Sequence, residues 1–98
     1  MDTKEFLNRF DNKDSFTSDE LYRLWIGDVD INYTLEEDEQ WGEPDRWNTC
    51  VTKVIKIEDR YFMIYAWKGN TEMQEDYYDI QPDEVKPVEK TVIVWEEI

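Results

Sequence analysis

Carboxylates without counter-ions decide where two stretches of this chain can lie. No Lys or Arg occurs between Arg23 and Arg46, and residues 28–45 carry eight acids: Asp28, Asp30, Glu36, Glu37, Asp38, Glu39, Glu43 and Asp45. No base occurs between Lys68 and Lys86 either, and six acids lie there: Glu72, Glu75, Asp76, Asp79, Asp83 and Glu84. The remaining sequence holds 11 acids and 11 bases, so the two windows account for the whole net charge of −14. An ionised carboxylate is too costly to bury unpaired. Both windows are therefore surface, and their mutual repulsion works against any compact state.

At 98 residues the chain is expected to form one domain, residues 1–98, with a modest core and a radius of gyration of about 13 Å. A mean hydropathy of −0.86 together with the charge points toward disorder. Five Trp, six Tyr and four Phe point the other way, because they fall in segments of clear period. Cys50 is the single cysteine, which rules out an intrachain disulfide and suits a reducing compartment. Residues 1–5 lack the basic and apolar regions of a signal peptide, and the apolar run Tyr61 to Trp67 is too short to span a bilayer. The expectation is a cytoplasmic protein. Its acidity excludes direct binding to nucleic acid and to anionic membranes, since both need a basic footprint.

Periodicity predicts a short helix over 3–11, with Phe6, Leu7 and Phe10 on one face. A second helix is predicted over 17–26. Thr17 and Glu20 have capping-box spacing, Phe16 and Leu21 form the hydrophobic staple, and Gly27 is the stop. Residues 28–35 alternate strictly, Val29, Ile31, Tyr33 and Leu35 against Asp28, Asp30, Asn32 and Thr34, which predicts a half-buried strand with an acidic outer face. Residues 36–46, acidic and containing Gly42 and Pro44, read as a loop. Strands are predicted over 49–57 and 61–67, with turns at 58–60 and 68–70. Residues 71–80 read as a strand or an irregular acidic segment, 81–87 as a loop with two prolines, and 89–96 as a last strand. The fold class is thus α+β: two short N-terminal helices packed on a twisted antiparallel sheet of four or five strands.

Several chemistries are missing. Without histidine the chain lacks the usual general base, the Ser-His and Cys-His pairs and the commonest metal ligand. Gly27, Gly42 and Gly69 are scattered and form no phosphate loop. Cys50 lies in a β-branched strand and reads as a small buried residue. Carboxylate pairs abound, but so many acids pair by chance. The expectation is a non-enzymatic protein with no cofactor. Asp28-x-Asp30-x-Asn32, Leu35 and Glu39 have the spacing of an EF-hand calcium loop, but Tyr33 stands where its sharp turn needs glycine. The alternating strand explains the same residues, and no metal site is expected.

One reading of the windows is a solvated surface that keeps the protein soluble. A sharper one is a nucleic-acid mimic. Duplex DNA carries one charge per roughly 1.7 Å, so 14 charges match about 24 Å of duplex. That fits one face of a small domain, provided the windows meet. Such a protein would occupy the basic groove of a DNA- or RNA-binding protein. Asp28, Asp30, Glu36, Glu37, Asp38, Glu39, Glu43, Asp45, Glu72, Glu75, Asp76 and Asp79 would supply charge. Trp41 and Tyr77 would supply anchors, with Tyr33, Trp47 and Tyr78 as further aromatic candidates. Tyr77 and Tyr78 must point to opposite faces if extended. The alternative is a non-catalytic accessory module that binds through strand edges and exposed aromatics. Strand 89–96, poor in charge, is then an edge for another chain, with a dimer as one outcome.

Thr71-Glu72-Met73-Gln74-Glu75, Gln81-Pro82-Asp83-Glu84-Val85 and Val92-Ile93-Val94-Trp95 give the last third of the chain its character. There it resembles small acidic proteins encoded by phages and prophages of Gram-positive bacteria. In size and charge it is similar to DNA-mimicking inhibitors of the anti-CRISPR and anti-restriction kind and to the uracil-DNA glycosylase inhibitor. The resemblance implies the cytoplasm of an infected or lysogenic bacterium. It also implies a basic nucleic-acid-binding partner, such as a nuclease, a Cas effector or a repair enzyme. It brings no active-site residues.

Overall fold

A computed structural model describes residues 1–44, 47–70 and 74–98. Two helices precede a four-stranded antiparallel sheet of order β1-β2-β3-β4, and the α+β class is as the sequence predicts. Helix α1 (Thr3–Asp11) is capped by Asp2, whose carboxylate accepts the Glu5 N–H at 2.8 Å. Helix α2 (Ser18–Ile26) has the reciprocal box: Thr17 Oγ1 accepts the Glu20 N–H at 3.2 Å, and the Glu20 carboxylate accepts the Thr17 N–H at 2.9 Å. Gly27 ends α2 at φ +82°, a conformation open to residues without Cβ. Glu20 also takes the Arg9 guanidinium, so one carboxylate caps α2 and ties it to α1. The Arg9 hydrogen bond, then the Thr17 backbone, lower Glu20 from its ordinary 4.5 to about 2.

Strands β2 (Asn48–Ile57) and β3 (Arg60–Gly69) form the central hairpin. Its two-residue turn places Glu58 at φ +57°. Directly opposed residues share a face. Val51 with Ala66 and Ile55 with Phe62 therefore point to the helices. Phe62 meets Phe6 and Phe10 edge-on at 5.2 and 5.0 Å and is fully buried. With Leu21, Leu24, Trp25 and Ile31 these residues make the core. On the other face lie Cys50, Thr52, Val54, Tyr61, Met63, Tyr65 and Trp67, all half-buried.

The structure corrects several expectations. Residues 28–33 are no strand. Their alternation is genuine, since Val29, Ile31 and Tyr33 pack on the core while Asp28, Asp30 and Asn32 are exposed. However, Asp30 bridges only to Asp2, because the segment lies against the start of α1 and not beside a strand. Leu35, expected inside, is exposed. The acidic stretch read as a loop is instead the edge strand β1 (Thr34–Pro44), exposed throughout and shifted in register three times along β2. Strand β3 runs on through Lys68 to Gly69 where a turn was expected. The predicted loop 81–87 contains β4 (Asp83–Val85), and the uncertain segment 74–80 is irregular. The expected strand 89–96 is absent: residues 86–98 carry no secondary structure and are exposed. Cys50 is half-buried, and burial pushes its thiol pKa up. The long hairpin and projecting segments give a radius of gyration of 16.1 Å and a shape of 56 × 40 × 20 Å, larger and flatter than a compact chain of this length.

Candidate functional site

The two acidic windows do not merge into one patch. They line opposite edges of the sheet. Asp28 and Asp30 stay apart from both, beside the helices, with Asp28 3.6 Å from Arg23. Asp45 and Glu72 lie outside the described residues.

The first edge is β1. Glu36, Glu37, Asp38, Glu39 and Glu43 follow each other along its exposed length. Glu36 accepts the Thr34 hydroxyl at 2.9 Å and Asp38 accepts the Glu39 N–H at 2.7 Å. Among the described residues none of the five is in an ion pair. Residues 36–43 cover about 23 Å of extended chain, so this edge carries a carboxylate every 4–5 Å or so, comparable with the 3.4 Å or so per phosphate of a single strand. Trp41 stands among them, 58% exposed.

The far edge is built differently. Tyr77 exchanges two backbone hydrogen bonds of 2.9 Å with Trp67, and the rings stack at 5.7 Å. Tyr78 turns to the opposite side and packs on Tyr22 and Trp25 of α2. Extended geometry thus separates the two tyrosines. Here nearly every acid has a donor. Asp76 accepts the Gly69 N–H at 2.8 Å and lies 3.3 Å from Lys68 Nζ. Asp79 accepts the Trp67 indole N–H at 3.0 Å, and Asp83 accepts the Tyr65 hydroxyl at 2.6 Å. Burial, then Asp83, push Tyr65 up to about 12. Arg60 forks between Glu84 and Asp11, holding both below the usual carboxylate range. Glu75 contributes its carbonyl to Asn48 at 3.3 Å, and its carboxylate is exposed.

Register sets the edges face to face. Glu37, Val54, Met63 and Asp83 form one row across all four strands, with an acid at each end and apolar residues between. Higher up, Trp41 is opposite Val51 and Tyr77 opposite Trp67. Three strand spacings separate the edges, about 14 Å, against about 12 Å for a DNA major groove. Asp83 and Glu84, not among the sequence's candidates, extend the far edge to the level of Glu37. Their place in the second base-free window was the available signal.

No cluster of His, Cys, Asp or Glu suited to a metal exists among the described residues. The calcium spacing at Asp28–Glu39 leads into β1 and not into the exiting helix that an EF-hand needs. No helix among the described residues is long and apolar enough to cross a membrane. Comparison with known proteins finds no matching family model, no matching curated protein and no matching solved structure.

Proposed function

We propose that this protein is a nucleic-acid mimic that occupies the basic groove of a DNA- or RNA-binding protein. The observation that carries the reading is the β1 edge. Five exposed carboxylates follow one another along this strand, and among the described residues none of them is in an ion pair. Repulsion along such a row costs stability, and a basic groove is the surface that would recover it. The paired acids of the far edge form a second rail at groove-like spacing. Trp41 and Tyr77 are exposed anchors on the two sides. No side chain here acts as acid, base or nucleophile. The partner is recognised by charge spacing and by aromatic contact, and its association is fast and sensitive to salt.

The test uses the immobilised protein and a bacterial lysate. Retained proteins should be nucleic-acid-binding proteins that duplex DNA displaces and that elute by about 0.3 M salt. Reversing Glu36, Glu37, Asp38 and Glu39 to Lys should abolish retention while leaving the circular dichroism spectrum unchanged. Retention that survives this reversal rules out β1 as the epitope.

A further inference from the structure

The helices cover one face of the sheet. Val51, Ile55, Phe62, Ile64 and Ala66 point to them and are buried. Val54, Tyr61, Met63, Tyr65 and Trp67 point the other way, and the core among the described residues includes none of them. They are half-buried. The outward face of an antiparallel sheet usually turns polar, but here it is apolar and aromatic across both central strands. Its middle is concave: a hollow of about 320 Å³ is floored by Val54, Tyr61, Met63 and Val85, with Glu36 and Glu37 on its β1 side.

Acids border this face on both sides. Glu37 is opposite Val54 and Asp83 opposite Met63, so both carboxylates share the face with the apolar pair between them. Farther along, Asp79 holds the Trp67 indole N–H. The lysines of the face, Lys56 and Lys86, sit at the end nearest the hairpin turn, where Lys56 Nζ lies 5.5 Å from the Tyr61 ring centre. Lys53 and Lys68 turn to Trp25 on the helix side. From the row of Glu37 and Asp83 to Trp67 the described residues of this face therefore include acids at its borders and no base.

Width and charge select the occupant. The edges are about 14 Å apart, and an α-helix with its side chains is about 10–12 Å across. A second copy of this face would set acids against acids. A helix whose apolar stripe is flanked by Lys and Arg meets each part of it. The stripe lies on Val54, Met63 and Tyr65, one large side chain enters the hollow, and the flanking bases reach out to Glu37 and Asp83.

We infer that the open face of the sheet takes a basic amphipathic helix of the partner. The inference rests on the mimic reading and names the element the partner contributes. A DNA major groove admits a helix of the same width, but the apolar floor here adds a demand for an apolar stripe.

The test titrates the full chain, at about 0.15 M salt, with a labelled peptide of about 18 residues whose leucines form one helical stripe flanked by lysines. It should bind at least about 10-fold tighter than a peptide of the same composition with its leucines scattered, and its circular dichroism should show a gain of helix. Met63→Glu should weaken binding about 10-fold or more, although it adds an acid, because it breaks the apolar floor. Val54→Thr, which keeps the β-branched shape, should cost about 4-fold and reads the same face where Met63→Glu fails to fold. Equal affinity for the two peptides overturns the proposal, and so does binding that both substitutions leave unchanged. Self-association in sedimentation that Met63→Glu abolishes would give the face to a second copy and overturn it too. On the lysate column, Met63→Glu should lose the proteins that DNA displaces from the parent. If Met63→Glu keeps them and the β1 reversal does not, the mimic reading stands and the helix site falls. If the striped peptide docks but DNA displaces no retained protein, the face still binds a helix and the mimic reading falls.

Discussion

The two edges of the sheet carry similar charge and hold it in opposite ways. Along β1 the carboxylates are exposed, and Glu36 and Asp38 accept hydrogen bonds from within the strand itself, from the Thr34 hydroxyl and the Glu39 N–H. Along the far edge Asp76, Asp79, Asp83 and Glu84 each accept a hydrogen bond from β3, through Lys68 and Gly69, Trp67, Tyr65 and Arg60 in turn. The difference follows from the neighbours. Strand β3 supplies Arg60, Tyr65, Trp67 and Lys68 as donors to the far edge, whereas the residues of β2 that pair with β1 include one lysine, Lys56, opposite Thr34. The same residue type is therefore structural on one side and free on the other. A count of charges cannot make that distinction.

Stability should show the contrast most strongly. Removing the carboxylates of Asp76, Asp79 and Asp83 together, as Ala, leaves the Trp67 and Tyr65 donors without protein partners. The expected loss is about 2 kcal/mol, or a fall of about 10 °C in Tm. Changing Glu36, Glu37, Asp38 and Glu39 to Gln should leave Tm unchanged or raise it. Equal falls in the two variants, read by thermal denaturation, would erase the distinction.

Acid should act next, through the paired carboxylates. Glu20, Asp11 and Glu84 have folded pKa values below their ordinary ones. Their contribution is complete above the unfolded value and is lost as pH falls through the folded one. Stability should thus decline from about pH 4.5 toward pH 2, the limit set by Glu20 at about 2. Denaturant midpoints measured across that range should fall less steeply in Glu84→Gln. An unchanged slope would show that the Arg60 fork carries no stability.

Salt should give the smallest effect and the one most specific to β1. Raising ionic strength from about 0.05 to 0.3 M shortens the screening length to below 10 Å or so. That relieves repulsion along β1 more than it weakens the hydrogen-bonded far edge. A rise of a few degrees in Tm is expected for the parent. The β1 Gln variant should show a smaller rise. Identical salt responses would mean that repulsion on β1 is negligible.

Much of the fold was legible because its signals are local. The capping box at Thr17 and Glu20, the stop at Gly27 and the β-branched run over 49–57 each lie within a few residues. The failures have a common cause. Residues 28–33 have the alternation of a strand, yet alternation reports burial on one side and not the presence of a hydrogen-bonded neighbour. Residues 89–96 have the composition of a strand but run beyond the sheet that would pair them. Residues 36–44 have the composition of a loop, yet β2 supplies a ladder that overrides the weak β-propensity of Glu and Asp. The candidate site was legible as charge and as the opposite facing of Tyr77 and Tyr78. Its division into a free edge and a paired edge was not, because Asp79 meets Trp67 and Asp83 meets Tyr65 only through the β3 register.

By itself the sequence determined that two short helices precede the sheet, that the second has a capping box and a glycine stop, and that β2 and β3 are strands joined by a tight turn. Those outcomes rest on solvation, local hydrogen bonds and periodicity, which act along the chain. Only the tertiary structure decided that the windows flank the central hairpin from opposite sides, and which of their carboxylates find donors. Those outcomes depend on strand order and register, which bring together residues far apart in sequence.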